Sequence, residues 1–325
     1  MNIEKNVMQN IEKLNSTAGD WLVAYSGGVD SRVMLDILYK LKPSGKNLVM
    51  LHVNHGLSDN ATEWENKAKA IANHYGIEIR IAHLNMKDES AIEEVARTRR
   101  YEFFVNNIKE NDIIFMGHHK NDNAETLLFR LFRSTGIKGL CGIPQSRKLG
   151  AGKLVRPMMN VSRKEIMDYA VNSKLDWVED ESNQDSKYSR NFIRNEVIPF
   201  LENKWPSVVN SITGIAQKAQ DAEDLLEEIA QEDIKKIGSL WVNKHKQEFF
   251  ALDMNLLREL SNARLKNVLL YWVRDIDDQN KGSKNFENLL NVVLTENKNN
   301  SKLRKVEFKN ANLVSNGNKI WIEMK

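Results

Sequence analysis

One short stretch of the chain has the composition of a phosphate-binding turn. It lies between an apolar run at Trp21–Tyr25, which predicts a strand, and a helical pattern that begins near Val33. Two adjacent glycines let the backbone approach a ligand, while serine hydroxyls and the amides of the first helical turn point at an anion. The alternative is a strand-to-helix turn that merely tolerates glycine. The expected phosphate loop comprises Ser26, Gly27, Gly28, Val29, Asp30 and Ser31.

The acidic residue inside this loop predicts a metal ion. Asp30 would repel phosphates unless a cation bridges them, and magnesium is the usual partner of phosphates and carboxylates. Asp30 is therefore the candidate magnesium ligand. The loop lacks the lysine and the spacing of a Walker loop, so it belongs to a different class of nucleotide site.

Polar residues also end two other predicted strands. His52 and Asn54 follow an apolar run at residues 48–53, and His118 follows another at residues 113–116. Because the carboxyl ends of parallel strands share one edge of a sheet, we expect these side chains to hydrogen-bond to the bound nucleotide or substrate. Zinc is the weaker interpretation, since no cysteine supplements the histidines.

A pair of carboxylates follows the second of these strands. Asp122 and Glu125 have the spacing of a helix N-cap and its reciprocal glutamate. The same pair facing the phosphates could hold a second magnesium or position an amine. Both interpretations remain open.

Two groups of arginines are candidates for contacts with anions. Arg97 and Arg100 lie one turn apart in a helical pattern, where they either form an exposed surface or neutralise a leaving pyrophosphate. Arg190 and Arg194 follow a polar segment that includes Asp180 and Asn183. This second pattern suits binding of a base or a phosphate.

A long segment without acidic residues predicts contact with nucleic acid. There is no Asp or Glu from Thr126 to Lys164, and the glycines there favour a flexible loop. Such a segment would neutralise a phosphate backbone, and the alternative is a solvated surface of biased composition. With Arg190 and Arg194, the candidate RNA contacts are Arg133, Lys138, Arg147 and Arg156.

The order of elements predicts an α/β fold with a parallel, doubly wound sheet. Four strand-like runs alternate with helical patterns at Thr62–Tyr75, Ser90–Ile108 and Asn123–Phe132. A long helix at Val208–Ile237 then leads to a smaller α+β region. We expect a catalytic domain at residues 1–205 and an accessory domain at residues 206–325.

The composition is that of a globular chain. Its 325 residues are 41% hydrophobic and 28% charged, with a net charge of +3 and no run long enough to span a membrane. The single cysteine, Cys141, predicts a reducing, cytoplasmic location. A homodimer is left open.

Taken together, these motifs resemble those of the tRNA(Ile)-lysidine synthase family of PP-loop ATP-pyrophosphatases. The resemblance covers roughly Trp21–Leu201 and rests on the following strings, which occur in the family's order: residues 26–31, His52–His55, Arg97 with Arg100–Tyr101, His118–His119, Asp122, Glu125–Thr126, Arg133 with Gly136 and Gly139–Leu140, Arg156–Pro157 and residues 180–194. It implies an adenine nucleotide hydrolase-like first domain that binds ATP at residues 26–31, His52, Asn54 and His118.

The resemblance also implies a reaction. Family members adenylate C2 of cytidine 34 in an isoleucine tRNA with a CAU anticodon, and free L-lysine then displaces AMP to form lysidine. This is a ligase reaction that forms a carbon–nitrogen bond. The resemblance implies that the catalytic residues are Asp30, Asp122, Glu125, Arg97 and Arg190.

The chain departs from the family at three positions, and rival functions exist. The family usually has aspartate, arginine and glycine where this chain has Asn121, Ser58 and Ser134. A tRNA 2-thiolase would adenylate the same carbonyl, but its chemistry requires paired cysteines. An amide-forming synthetase would have little use for the acid-free segment, and a silent tRNA-binding protein would not need an intact phosphate loop.

Overall fold

The chain folds as two units, each with its own sheet. The computed structural model describes residues 3–13, 19–56, 58, 60–84, 92–179, 187, 189–242, 247–274, 276, 284–295 and 303–325, with the backbone alone for 92–94 and 284. The first unit comprises residues 1–133 and 142–216, and the second comprises residues 134–141 and 217–325. The units therefore divide inside a long helix, eleven residues beyond the boundary expected at residue 205. The assignment of separate roles to the two domains stays a prediction.

The first unit is built on a six-stranded sheet with the strand order β3-β2-β1-β4-β6-β5. All neighbouring strands pair in parallel except the β5–β6 pair, which is antiparallel. The strands are β1 (Trp21–Tyr25), β2 (Leu48–Asn54), β3 (Glu78–His83), β4 (Ile113–Phe115), β5 (Ser146–Leu149) and β6 (Gly152–Val155).

Helices cover both faces of this sheet, which is why its central strands are continuous apolar runs. One buried cluster includes Val33 of α2 and Ile166 of α7, and another includes Phe104 of α4. This arrangement confirms the predicted doubly wound α/β fold. The helices in chain order are α1 (Ile3–Glu12), α2 (Val29–Leu41), α3 (Ala61–Tyr75), α4 (Ile92–Asn107), α5 (Lys120–Leu131), α6 (Ile137–Leu140, in the second unit), α7 (Arg163–Asn172), α8 (Ser189–Phe192), α9 (Ile198–Lys204) and α10 (Val208–Ile237).

The strand order fixes where a ligand binds. The chain runs from β1 outward through β2 to β3, and then crosses to place β4 on the other side of β1. The loops that leave β1 and β4 therefore diverge, and they open a crevice at the carboxyl ends of these two strands. Both the phosphate loop and the His118–Glu125 segment begin there.

The segment that was expected to be a flexible loop is instead an ordered part of the sheet. Residues 146–155 form the β5–β6 hairpin, and β6 pairs with β4. Gly150 has a φ of +53° in the turn, and a Cβ on Gly152 would lie 2.5 Å from the carbonyl oxygen of Asp112. These glycines allow a tight turn and a close backbone approach, so the expectation of flexibility was wrong.

The second unit is a smaller α+β arrangement, as predicted. Its antiparallel sheet has the order β7-β8-β11-β10-β9 and packs on helices around buried residues such as Leu257, Leu269 and Leu289. Its elements are β7 (Gly238–Val242), β8 (Glu248–Asp253), α11 (Met254–Glu259), α12 (Asn262–Trp272), α13 (Lys284–Leu294), β9 (Arg304–Glu307), β10 (Ala311–Asn316) and β11 (Lys319–Met324).

One helix expected in this unit is divided in two. The pattern at residues 254–275 predicts a single helix, but Leu260 is extended, and the hydroxyl of Ser261 then accepts a hydrogen bond from the amide of Arg264 to begin α12. A serine N-cap stabilises a new start by about 1 kcal/mol, which explains the break. Among the helices that the structure describes, none is long and apolar enough to cross a membrane.

Candidate active site

The phosphate loop is held in shape by its own two serines. The hydroxyl of Ser31 accepts a hydrogen bond from the amide of Ser26 at 3.2 Å and donates one to the carbonyl of Gly28 at 2.9 Å. Gly28 is the N-cap of α2 and has no side chain that could cover the first-turn amides. These amides, at the positive end of the helix dipole, can bind an anion.

Glycine is required at two points around this loop. Gly27 has a φ of +93°, a conformation that other residues rarely adopt, and its carbonyl accepts a hydrogen bond from Val178. A Cβ on Gly117 would lie 3.0 Å from the carbonyl oxygen of Asp30. The end of β4 therefore lies directly against the phosphate loop.

Asp30 pairs with two basic residues from other elements. Arg163, the first residue of α7, lies 2.7 and 2.9 Å from the two carboxylate oxygens, and the Nε2 atom of His119 lies 3.5 Å from one of them. Burial raises the pKa of Asp30, and the charges of His119 and Arg163 partly oppose this shift. The carboxylate is thus oriented by Arg163 at the start of α2.

A second cluster contains two carboxylates and two guanidinium groups. Asp122 lies 3.1 Å from Arg190 and 3.0 Å from Arg194, while Glu125 lies 3.1 Å from Arg190 and 2.8 Å from Arg194. Glu125 has a side chain only 2% exposed, whereas that of Arg190 is 44% exposed. Arg190 is therefore the member of the cluster that water and ligands reach most easily.

His119 joins this cluster to the phosphate loop. Its Nε2 atom lies 3.5 Å from Asp122 as well as 3.5 Å from Asp30, and its ring is buried. Neither ring nitrogen has a hydrogen-bond partner among the described residues. Its backbone amide donates to Asp122 at 3.0 Å, so His119 is the N-cap of α5 and Asp122 is the third helical residue. The expectation that Asp122 itself caps the helix was wrong by one turn.

Neighbouring positive charges outweigh burial in setting the pKa of Asp122. Burial alone would raise its pKa, but the charges of His119 and Arg190 and the hydrogen bond from the His119 amide together hold the pKa below its usual range. Asp122 is therefore an anion at neutral pH.

An irregular helix positions both arginines of the cluster. α8 runs into a π-helical turn at Ile193–Val197, and α9 follows without a break. Ile193 and Ile198 pack on Ala124 and Leu128 of α5, so apolar contacts hold this helix against the helix that carries the carboxylates. The π turn brings Ile193 and Ile198 to the side of the helix that faces α5, and Arg190 and Arg194, one turn apart, both reach the two carboxylates.

Three residues predicted to bind ATP are held by the backbone or by a charged neighbour. His52 is buried with its Nδ1 atom 3.0 Å from the carbonyl of Tyr25, and Asn54 donates to Glu65 at 2.8 Å. The Nδ1 atom of His118 accepts a hydrogen bond from Arg156 at 3.2 Å. Burial lowers the pKa of His118, in keeping with a neutral ring that has its proton on Nε2.

Arg97 belongs to a different cluster, around Tyr101. The guanidinium groups of Arg97 and Arg147 lie 5.3 and 4.8 Å from the centre of the Tyr101 ring. Burial would raise the pKa of Tyr101, but a hydrogen bond with Arg147 and the charges of Arg156 and Arg97 lower it. The predicted catalytic role of Arg97 stays a prediction.

The residues predicted to contact RNA differ in their exposure. Arg133, Lys138 and Arg147 are exposed, although Lys138 belongs to the second unit. Arg156 is only 4% exposed and donates to Pro144 as well as to His118. Arg156 thus orients His118 and is not part of an exposed basic surface in this structure.

Residues 1–201 match the family model of the PP-loop domain. The chain belongs to the PP-loop family. The family resemblance seen in the motifs is confirmed at this level, and the phosphate loop at Ser26–Ser31 lies within the matched region.

Curated relatives of this PP-loop chain include tRNA(Ile)-lysidine synthases. The one from Pseudomonas aeruginosa is 41% identical over 262 residues, which are 79% of this chain and 59% of that protein. The one from Coxiella burnetii is 35% identical over 293 residues, which are 89% of this chain and 63% of that protein. The chain therefore spans about three fifths of the length of these relatives.

A solved structure supports the PP-loop fold. A U34-tRNA thiolase from Methanococcus maripaludis, determined with its iron–sulfur cluster, is 18% identical with a TM-score of 0.54, over 67% of this chain and 78% of that chain. At this identity the likeness concerns the fold alone.

The donor set at the PP-loop fits a magnesium ion that arrives with ATP. Asp30 offers hard carboxylate oxygens at the phosphate loop, and Mg²⁺ is commonly held by one or two carboxylates together with substrate phosphates. The described residues contain no group of three or more His, Cys, Asp or Glu side chains that could hold a metal by themselves. The ion would thus depend on the nucleotide for much of its coordination.

The sequence motifs do not identify two residues that shape the PP-loop site. The sequence places Arg163 only within the acid-free segment and His119 only within a family string, yet these residues contact Asp30 directly. The available signal was position: α7 begins soon after β6, and α5 begins soon after β4. Both helix starts therefore lie at the ligand-binding edge of the sheet.

Proposed function

We propose that this chain ligates free L-lysine to C2 of cytidine 34 in the CAU anticodon of tRNA(Ile), in the cytoplasm. The oxygen on C2 attacks the α-phosphate of ATP, and the bond to pyrophosphate breaks. The ε-ammonium of lysine loses a proton to solvent, the resulting amine forms a bond to C2, and AMP leaves with the oxygen. The products are lysidine, AMP and pyrophosphate.

The observation that carries the proposal is the anionic pair Asp122 and Glu125 beside the phosphate loop. His119 lies 3.5 Å from both Asp30 and Asp122, so a site for a cationic substrate adjoins a site for phosphates. The names of relatives at 35–41% identity supply the substrate. A lysine ammonium is the cation that such a pair would bind.

The two carboxylates would position the amine rather than deprotonate it. Asp122 has a lowered pKa and is a weak base, and each carboxylate is already paired with two guanidinium groups. An incoming ammonium would replace one of these groups. Arg190 is the more exposed of the two arginines, so it is the group that would move and then contact a phosphate.

The phosphate side of the site would be neutralised by several groups. The amides at the start of α2 would offer positive charge to the triphosphate, and Arg97, which lies over the Tyr101 ring, would neutralise the leaving pyrophosphate. Magnesium, when bound with ATP, would offset charge on the departing group. The neutral ring of His118 and the amide of Asn54 would offer hydrogen bonds to the nucleotide.

The test is incorporation of labelled lysine into a tRNA(Ile) transcript that carries CAU, with ATP and magnesium. The matched control is the same transcript with its first anticodon base changed. Label with the cytidine transcript alone would establish both lysine transfer and base choice.

Absence of label would contradict the proposal. Pyrophosphate released on addition of tRNA, without label, would retain the adenylation step and assign another nucleophile to the second step. The 2-thiolase alternative is not favoured, because this chain contains one cysteine.

A further inference from the structure

A cavity lies on the first unit, beyond the cluster of carboxylates and arginines. Its volume is about 390 Å³, and its walls come from the end of α5 and from α8. The lining residues include Phe129, Phe132, Arg133, Lys187, Phe192 and Ile193. We call it the aromatic cavity. None of the residues assigned above to ATP or lysine lines it.

The lining combines exposed rings with positive charge. Phe132 is 66% exposed and Phe192 is 49% exposed, although both are large apolar side chains. The guanidinium group of Arg133 lies 5.1 Å from the centre of the Phe129 ring. Among the residues that the structure describes, the lining includes no carboxylate, and Phe129, Phe132 and Arg133 fall within the acid-free segment Thr126–Lys164.

We propose that the aromatic cavity binds one unpaired nucleobase of the substrate RNA, by stacking on its phenyl rings. This inference rests on the proposed function, because it takes tRNA as the ligand. Unpaired bases stack on aromatic side chains whatever their identity, while adjacent cations bind the phosphates. The pairing of exposed phenylalanines with Arg133 and Lys187 has this chemistry. An apolar protein partner would not need the cations.

The base in the aromatic cavity is a different nucleotide from the one that reacts. α5 begins after His119, which contacts Asp30, and ends just before Phe132. At 1.5 Å per residue these thirteen steps span about 20 Å along the helix axis. Stacked nucleotides along one strand are about 3.4 Å apart, so this distance corresponds to several nucleotides. The cavity would hold a neighbouring unpaired base while the cytidine occupies the reactive site.

The first experiment measures binding of an anticodon stem-loop RNA to the full chain without ATP or lysine. Phe132→Ala and Phe192→Ala are each expected to weaken binding roughly 5- to 150-fold, which corresponds to about 1–3 kcal/mol for base–aromatic stacking. The matched control is Phe200→Ala, since Phe200 is 75% exposed on α9 and does not line the cavity. Thermal melting checks that all three variants fold.

The second experiment identifies the base. Each unpaired nucleotide of the stem-loop is replaced in turn by an abasic residue, and every RNA is measured against the wild-type chain and Phe132→Ala. At one position the two losses should fail to add, because both changes remove the same stack.

Several results would overturn the inference. These are unchanged binding by both cavity variants, an equal loss with Phe200→Ala, or additive losses at every abasic position. A change in oligomeric state without a change in RNA binding would assign the cavity to protein contacts instead. Because lysine transfer is a separate assay, its failure with intact stacking would reject the proposed reaction and leave the cavity assignment standing.

Discussion

At the site, two arginine side chains share the same two carboxylates. Asp122 and Glu125 each contact Arg190 and Arg194, so the described cluster has no net charge when all four groups are ionised. A ligand cation must therefore displace a cation that is already bound. This exchange favours ligands with a strong, well-placed ammonium group over weakly held ions.

Removal of one negative charge tests this exchange. In Asp122→Asn the ammonium loses a charged partner, so kcat/KM for lysine transfer should fall about 10- to 150-fold, in line with about 1.5–3 kcal/mol for a hydrogen bond to a charged group. Pyrophosphate release in the presence of tRNA should change by less than a few fold. The control is Asp168→Asn, since Asp168 is exposed on α7 and pairs with Lys164. Unchanged lysine transfer in Asp122→Asn would show that Asp122 does not position the amine.

The sequence predicted which groups could do chemistry, but not how they pair. The spacing of Asp122 and Glu125 placed both on one helix, and a run of small residues marked the phosphate loop. The partners of Glu125 lie 65 and 69 residues away in the chain, so their contact depends on how α8 packs on α5. Arg156 was mistaken for a surface residue because charge in a sequence carries no information about burial.

Within the β2–α3–β3 unit, the buried carboxylate of Glu65 holds Asn54 in place. Glu65 of α3 accepts hydrogen bonds from Asn54 and Lys69 and lies 2.8 Å from the Nε2 atom of His83. The hydrogen bonds from Lys69, Asn54 and His83 lower the pKa of Glu65 from 4.5 to about 2. The ends of two strands are thus tied to one helix.

This carboxylate predicts an acid sensitivity. Because its pKa is lower in the folded protein, Glu65 stabilises the fold fully above pH 4.5, and this contribution is lost as pH falls from there towards about 2. Glu65→Gln should therefore unfold at lower urea than wild type at pH 7, and the gap should narrow at pH 3. The control is Glu63→Gln on the same helix, where the carboxylate is exposed and little gap is expected at either pH. A gap that stays constant with pH would contradict the assignment.

Element prediction succeeded where periodicity was strong and failed where glycine was ambiguous. β1 and β4 are unbroken apolar runs, and α10 has a long amphipathic pattern, so the predicted ends of these elements agree with the observed ends to within about one residue. The β5–β6 hairpin was missed because Gly150 and Gly152 suggest flexibility as readily as a tight turn. The break before Ser261 was missed because apolar residues continue on both sides of it.

For the whole molecule, charge is uneven although the net charge is only +3. The acid-free segment contributes exposed cations on the β5–β6 hairpin, including Arg147 and Lys148. A protein with such a local surface binds a polyanion through release of counterions, irrespective of its total charge. RNA affinity should therefore depend more strongly on salt than the composition suggests.

The salt dependence of tRNA binding tests this surface. Replacing both Arg147 and Lys148 with Gln should reduce the slope of log affinity against log salt by about 1–2, since each lost phosphate contact removes about 0.7–0.9. Measurement of affinity at several salt concentrations gives the slope directly. The control replaces Lys67 and Lys109, two exposed lysines outside the segment, and should leave the slope unchanged. Equal slopes for all three proteins would mean that the hairpin does not contact RNA.

The π-helical turn at Ile193–Val197 has a consequence for how this chain can vary. A regular α-helix turns by about 100° per residue, so deletion of one residue after Arg194 in this turn would rotate Arg190 and Arg194 together by about that angle relative to Ile198, which packs on α5. Both guanidinium groups would then turn away from the carboxylates, even though all four charged residues of the cluster were retained. The number of residues between Arg194 and Ile198 is thus as restricted as the residue types, and a one-residue gap there in an aligned sequence would mark a protein without this cluster.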